Sequence, residues 1–238
     1  MADASRDYDP DRLIFLPEPH RYYLDVVDDA HELISVTTAI KEGLAGAVGE
    51  EWWGDEARQR GEAVHAAILY HSQNDLDEST IDPLVWPYFE AYLSFLAIEQ
   101  PRFLWHGGSR CVEQRIVDAA SRYAGTLDMV AVLEGVRRVF LTPGGQIQVL
   151  DLIDVKSGLA PWWAPLQLAA YRRWVRAWYP ATVIRSWVLN LMKDGTYRLL
   201  PVGAGMQGRQ DEYDFLAVLR VAELRRSQRR VNPGGTNG

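Results

Sequence analysis

The 238-residue sequence contains little cysteine and no long apolar run. Its single cysteine, Cys111, excludes an internal disulfide bond and a cysteine cluster for zinc or for an iron–sulfur centre. No apolar stretch approaches the length of a membrane span, and the acidic N-terminus lacks the basic and apolar regions of a signal peptide. These features predict a cytoplasmic protein without a membrane partner and without an iron–sulfur cluster.

Lysine is scarce as well, since only Lys41, Lys156 and Lys193 are lysines among 25 lysine and arginine residues. Lys156 follows a β-rich apolar run at residues 149–155, and the alternation of a strand places it on the same face as Asp154. Burying such a pair costs free energy unless a metal ion or a substrate completes it, so the pair indicates a site. The alternative is an ion pair at the end of a surface strand.

A second carboxylate lies in another β-like run. Asp128 comes just after a predicted tight turn at Gly125, within residues 127–133. Two strand-borne carboxylates and a lysine suit a hard divalent cation and a phosphodiester. Oxygen ligands favour Mg²⁺ or Mn²⁺, and an ammonium can hold a phosphate or a nucleophilic water.

The charge is unevenly distributed along the chain. The net charge is −7, but residues 1–99 carry 6 basic and 21 acidic residues, whereas residues 100–238 carry 19 and 11. The half that contains the Asp and Lys strands is therefore basic, which fits a polyanionic substrate. Uneven surface solubility is an equally good explanation of the same asymmetry.

The length predicts one domain, residues 13–230, between a disordered N-terminus at 1–12 and a flexible tail at 231–238. Residues 13–110 are predicted to be mostly helical after two short strands. These strands are expected at 13–16 and 20–27, and the helices at 39–44, 49–70 and 84–100.

Residues 111–201 are predicted to form the catalytic sheet with one helix, and a last helix is expected at 212–230. The first strands read as an antiparallel meander, and Pro165 can start the helix after them. The strands are expected at 111–117, 127–133, 138–141, 146–155, 184–191 and 197–201.

The helices contribute further polar side chains. His65 follows Gly61 by four residues, so both share a helix face on which a glycine lets a ligand or backbone come close. Gln167 and Tyr171 share a face of the helix after the Asp/Lys strand. Each is also an ordinary helix residue when taken alone. Neighbouring guanidiniums could grip a phosphate backbone with them. These belong to Arg172, Arg173 and Arg176.

The order of these residues resembles the PD-(D/E)XK nuclease superfamily, and more narrowly its RecB-like branch. That branch has the successive motifs G-x-x-x-H, G-x-x-D, D/E-x-K and Q-x-x-x-Y. The corresponding segments run from Gly61 to His65, Gly125 to Asp128, Asp154 to Lys156 and Gln167 to Tyr171. Residues 20–25 and 35–37 also resemble phage-type and mitochondrial genome-maintenance exonucleases of this branch.

The resemblance implies a metal site. Asp128 and Asp154 would bind Mg²⁺ or Mn²⁺, helped by the Val155 carbonyl and by His65. Glu113 corresponds to a glutamate often found on the first strand of the meander and is a further candidate.

The resemblance also implies the remaining roles and the fold. Lys156 would position or activate the attacking water, and Gln167 and Tyr171 would hold the substrate or orient the lysine. The fold would be α/β, or more strictly α+β: a PD-(D/E)XK restriction-endonuclease-like core. In it, a central mixed β-sheet of about five strands is flanked by helices, and the helical N-terminal portion lies over the site.

The implied function is that of a metal-dependent DNA exonuclease that leaves 5′-phosphates, acting in DNA end processing, recombination, repair or phage DNA metabolism. Two alternatives stay open: a structure-specific or restriction-type endonuclease, and a catalytically silent subunit that binds nucleic acid. The expected partners are DNA with free ends or single strands and a recombination or single-strand-binding protein, in a bacterial or phage-infected host cell. Trp162 and Trp163 would either stack on bases beside the site or pack in the core.

Overall fold

In the computed structural model of the chain, the described residues are 13–16, 21–26, 29–46, 54–133, 141–142, 145–146, 149–180 and 182–231. The expected disordered N-terminus at 1–12 and the tail from 232 onwards lie outside the described residues, as do residues 20 and 27 of the second predicted strand. The helices are α1 (Val36–Gly43), α2 (Asp55–Gln73), α3 (Trp86–Glu99), α4 (Ala164–Trp178) and α5 (Met206–Val231).

Thirteen strands are described, and they are more numerous before residue 110 than predicted. In chain order they are β1 (Leu13–Leu16), β2 (Arg21–Val26), β3 (Asp29–Ser35), β4 (Pro101–Phe103), β5 (Trp105–His106), β6 (Ser109–Arg110), β7 (Val112–Asp118), β8 (Tyr123–Leu133), β9 (Leu141–Thr142), β10 (Gly145–Gln146), β11 (Val149–Ser157), β12 (Val183–Leu191) and β13 (Tyr197–Val202).

The helix ends follow local signals. Ser35 caps α1, because its Oγ accepts the N–H of Thr38 at 3.1 Å, so this helix begins three residues before the predicted start. Pro165 lies in the first turn of α4, so the predicted role of this proline at the helix start is confirmed. The last helix starts at Met206, six residues before the predicted start at 212.

The main sheet is mixed and contains nine of the thirteen described strands, whereas about five were expected. Its main order is β1-β2-β3-β8-β11-β12-β13, with β4 and β7 also paired to β8. β3 with β8 and β11 with β12 are parallel, and the other pairs of this sheet are antiparallel. β3 was not predicted, because Asp29–Ser35 lacks the apolar alternation of a strand.

β3 and β11 pair with different parts of the same edge of β8. The ladder with β11 ends at the pair Met129–Ile153, and the ladder with β3 covers only Tyr123 and Ala124. Residues 125–128 therefore have no ladder partner on this edge among the described strands. We call this opening, between residues 125–128 of β8 and 154–157 of β11, the fork.

Helices cover both faces of the sheet. α1, α4 and α5 pack together on one face, and α2 and α3 pack on the other, where α2 contacts β7 and β11. Consecutive residues of β11 divide between the two cores, since Leu152 packs in the first and Ile153 in the second. No described helix is long and apolar enough to cross a membrane.

Candidate functional site

His65 and Glu113 meet at the mouth of the fork. His65 lies in the middle of α2, and its Nδ1 is 2.6 Å from Oε1 of Glu113 on β7. Glu113 has φ of +51° inside a strand, although its neighbours Val112 and Gln114 keep one register with β8. A left-handed conformation costs a non-glycine residue about 1 kcal/mol, and such strain concentrates at functional sites.

Asp128 is buried at the base of the fork. Its Oδ2 accepts the backbone N–H of Val155 at 2.5 Å, and its Oδ1 lies 3.8 Å from His65 Nδ1. This hydrogen bond takes the place of a ladder bond at the point where β8 and β11 separate. The N–H and C=O of a strand residue point to the same side of the strand, so the Val155 carbonyl also faces β8.

Three ligand atoms are close enough to hold one metal ion. Atoms of His65, Glu113 and Asp128 all lie within 4.8 Å of one another. One imidazole and two carboxylates form a donor set that accepts Mn²⁺ or other first-row ions as well as Mg²⁺. Asp154 is not a member of this compact set; instead, its carboxylate is bound to Lys156.

A chain of hydrogen bonds joins β11 to α4. Lys156 Nζ lies 2.9 and 2.8 Å from the two carboxylate oxygens of Asp154 and donates to Gln167 Oε1 at 3.1 Å. Gln167 Nε2 then donates to Tyr171 Oη at 3.4 Å. The predicted shared faces of the strand and of the helix are both observed. Asp154 is 1% exposed, so this is not the surface ion pair that the sequence left open.

Burial and mutual charge set the protonation of the cluster. Burial alone would lower the pKa of His65, but the Asp128 and Glu113 carboxylates outweigh it and raise that pKa to about 9. Burial also opposes the charge of Lys156, yet Asp154 and Asp128 raise its pKa above the ordinary value. Burial raises the pKa of Asp154 to about 6, with Lys156 opposing the shift. The pKa of Tyr171 rises well above its ordinary value through burial.

The predicted turn at Gly125 is wrong. Gly125 lies inside β8, which starts at Tyr123 rather than at residue 127. A Cβ at this position would lie 3.0 Å from Cε1 of Tyr171 and 3.2 Å from Cγ2 of Val36. The glycine therefore serves close packing of α4 against β8, which lets Tyr171 approach the fork.

The three arginines predicted to bind DNA contact the rest of the fold. Arg172 is 4% exposed and donates to Ser186 Oγ and the Gly208 carbonyl, so the prediction that it grips a phosphate is wrong. Arg176 forms a two-pronged pair with Glu212 of α5, and Arg173 pairs with Asp118 at the far end of β7. They follow Gln167 by five, six and nine residues, and these spacings place them on other faces of the helix. The helical spacing could therefore have separated them from the site.

The two tryptophans of the 158–163 loop have different surroundings. Trp163 is 6% exposed and belongs to the core, as one of the two interpretations held. Trp162 is 57% exposed. Sequence reasoning missed another exposed tryptophan, Trp105, which lies on the β5–β6 hairpin. The pair Gly107-Gly108 between alternating residues is a recognised hairpin signal and could have located it.

A scan against protein-family models and a search of curated proteins each found no match for this chain.

Proposed function

We propose that the chain is a metal-dependent DNA exonuclease of the PD-(D/E)XK type, which hydrolyses phosphodiester bonds and leaves 5′-phosphates. The observation that carries this proposal is the fork. It brings a three-ligand donor set (His65, Glu113 and Asp128) next to a partly buried lysine that is held by Asp154 and Gln167. A mixed sheet with helices on both faces is compatible with such a core.

The donor set fits a divalent ion chemically, because one nitrogen and two carboxylate oxygens converge in a mostly buried place. His65, Glu113 and Asp128 would hold the ion, with the Val155 carbonyl facing the same space. When bound, the ion would supply a Lewis acid for the phosphodiester and for a water. Asp154 remains a proposed ligand that would have to be shared with Lys156.

The other side chains have roles that follow from their bonds. Lys156 holds a positive charge in the fork, where it can bind a phosphate oxygen or a nucleophilic water. Gln167 accepts from the ammonium and so restricts its direction. Tyr171 stays protonated and therefore adds no negative charge to the cluster. Its role is to orient the Gln167 amide, whose Nε2 donates to the Tyr171 hydroxyl.

The helix that lies over the site favours a flexible single strand over an uninterrupted duplex. α2 lies across β7 and β11, and Arg60 on α2 donates to the Ser157 carbonyl at 3.2 Å. The exposed fractions of the side chains are 27% for His65, 14% for Glu113 and 19% for Lys156. A phosphodiester must therefore enter a recess, which a flexible single strand does more easily than a duplex.

The test is digestion of end-labelled linear single-stranded DNA, linear duplex DNA and closed circular DNA in Mg²⁺, in Mn²⁺ or in EDTA. Lys156→Met removes the charge and keeps the length of the side chain, and Lys193→Met makes the same change in an exposed turn. We expect metal-dependent loss of linear DNA that Lys156→Met and Asp128→Asn reduce at least about 100-fold and that Lys193→Met leaves unchanged.

Cutting of closed circles would assign the endonuclease function instead. Retained DNA binding without cleavage in either metal would contradict catalysis and favour the silent binding subunit.

A further inference from the structure

A groove of about 670 Å³ runs beside the site. The end of α2 forms one wall with Gln73 and Asn74, and β7 forms the floor. The β5–β6 hairpin forms the other wall. This volume lies within the range of ligand-binding clefts.

Glu113 connects the groove to the fork. Glu113 lines the groove, and its carboxylate is hydrogen-bonded to His65 of the donor set. Among the described residues that line the groove, Glu113 is the only acidic one. A chain lying in the groove would therefore reach the donor set at Glu113.

The groove offers two kinds of contact that bind a nucleic acid strand: an aromatic face for bases and cationic groups for phosphates. Trp105 is 63% exposed and offers an indole face for base stacking. Arg110 and Arg115 are exposed and offer guanidiniums for phosphates. Arg110 is fixed to the end of α2 through the Ser72 carbonyl, at 3.0 Å, and Arg115 lies over the ring of Phe15, at 4.7 Å.

The hairpin that carries Trp105 is braced against α4. The His106 ring packs edge-on against Trp174 and Trp178, with centroids 5.0 and 4.7 Å apart, and its Nδ1 lies 3.0 Å from Tyr179 Oη. Positive φ at both glycines of the two-residue turn matches the turn type that suits a twisted hairpin. This packing fixes the position of the hairpin. Binding of a strand therefore requires little further ordering of Trp105.

We propose that this groove binds an unpaired DNA strand and leads it to the fork, with a base stacked on Trp105 and phosphates on Arg110 and Arg115. This inference rests on the proposed nuclease function and names the form in which the substrate arrives. A base can stack on Trp105 only when it is not paired and stacked within a duplex.

The first measurement is fluorescence anisotropy of a short labelled oligothymidine in EDTA, which prevents cleavage. We expect Trp105→Ala to raise the Kd at least about fivefold, and Trp105→Phe to restore it to within about twofold, since a phenyl ring still stacks. We expect Arg115→Gln to reduce the slope of log K against log salt by about 0.7. Arg220→Gln, on the exposed face of α5, removes the same charge and is expected to leave the slope unchanged.

Wild-type affinity in Trp105→Ala and Arg115→Gln would overturn the proposal, as would a duplex or an oligouridine that binds as tightly as the oligothymidine. A loss of affinity in Trp162→Ala but not in Trp105→Ala would place the strand along the 158–163 loop instead. Cleavage of the same strand in Mn²⁺ separates the two proposals. Trp105-dependent binding without cleavage contradicts only the nuclease function, and cleavage that Trp105→Ala leaves unchanged contradicts only the groove.

Discussion

Lys156 and His65 carry positive charge within a group of three carboxylates. These belong to Glu113, Asp128 and Asp154. The carboxylates of Asp154 and Asp128 keep the partly buried ammonium protonated, and those of Asp128 and Glu113 keep the imidazole protonated. In the metal-free protein the cluster is therefore close to electrical balance. A divalent ion would enter by replacing the proton of His65 rather than by adding to an unpaired negative charge.

This exchange predicts proton release on metal binding. The pKa of His65 in the folded protein, about 9, lies above its ordinary value of 6.5, so at neutral pH the folded state holds a proton that the ion must displace. Metal affinity should therefore rise as pH increases from 7 towards 9, and Mn²⁺ should bind more tightly than Mg²⁺ because an imidazole is among the donors. Calorimetry of Mn²⁺ binding in buffers of different ionisation enthalpy measures the released proton directly.

His65→Gln is the control for that measurement, since it removes the titrating ring and should remove the proton release. An affinity that is independent of pH in the wild type would contradict the placement of His65 in the donor set.

Sequence reasoning located most site residues but not their geometry. The period of two along β11 was enough to pair Asp154 with Lys156, and the period of a helix was enough to pair Gln167 with Tyr171. The left-handed backbone of Glu113 has no signal in the sequence, because glutamate is not a residue that marks positive φ. Its closeness to His65 depends on α2 crossing β7, which is a tertiary contact.

At the scale of elements, β8, β11 and β12 are tied together by one buried carboxylate. Asp151 accepts from Arg185 through both oxygens, from Trp187 Nε1 at 2.7 Å and from the N–H of Leu133 at 2.9 Å. It is fully buried, and its hydrogen bonds lie just before the point where the fork begins. This network holds the three strands in register below the site.

We expect Asp151→Ala to lower the free energy of unfolding by about 3 kcal/mol, because it leaves the Arg185 guanidinium without its carboxylate in a mostly buried place. Asp214→Ala, on the exposed side of α5, is the matched change and should stay within about 0.5 kcal/mol of the wild type. Urea denaturation gives both values. An unchanged midpoint and slope for Asp151→Ala would show that the network does not stabilise the sheet.

Elements with strong local signals were predicted well, and elements that depend on partners were not. The apolar run at residues 149–155 and Pro165 indicate a buried strand and a helix start, and the structure has β11 and the start of α4 at these places. The polar strand β3 forms by pairing with β2 over residues 29–33 and with β8 over Ile34 and Ser35, and no local pattern indicates either partner. The role of Arg172 was misjudged for a similar reason, since α5 packs over it and the sequence gives no sign of that contact.

At the scale of the whole molecule, the site joins the two helical layers. α2 supplies His65 from one face of the sheet and α4 supplies Gln167 from the other. His65 reaches the fork beside Asp128, and Gln167 reaches it at Lys156. A ligand in the fork should therefore stabilise the domain as a unit rather than a single loop.

We expect Mn²⁺ at about 100 times its Kd to add about 2.7 kcal/mol to the free energy of unfolding. For a chain of this length, that corresponds to a rise in Tm of about 5–10 °C. Differential scanning fluorimetry with and without Mn²⁺ measures it, and Asp128→Asn should abolish most of the rise. A Tm that Mn²⁺ leaves unchanged at every concentration would contradict a metal site in the fork.

The short hydrogen bond from Val155 to Asp128 gives the molecule a built-in spectroscopic probe. An amide proton that bonds to a carboxylate at 2.5 Å should resonate far downfield of ordinary amides, and it should exchange slowly with solvent because both partners are buried. Any event that draws Asp128 away from Val155 will shift that single signal. The backbone of β11 can thus report the state of the fork in solution without a label on any side chain of the site.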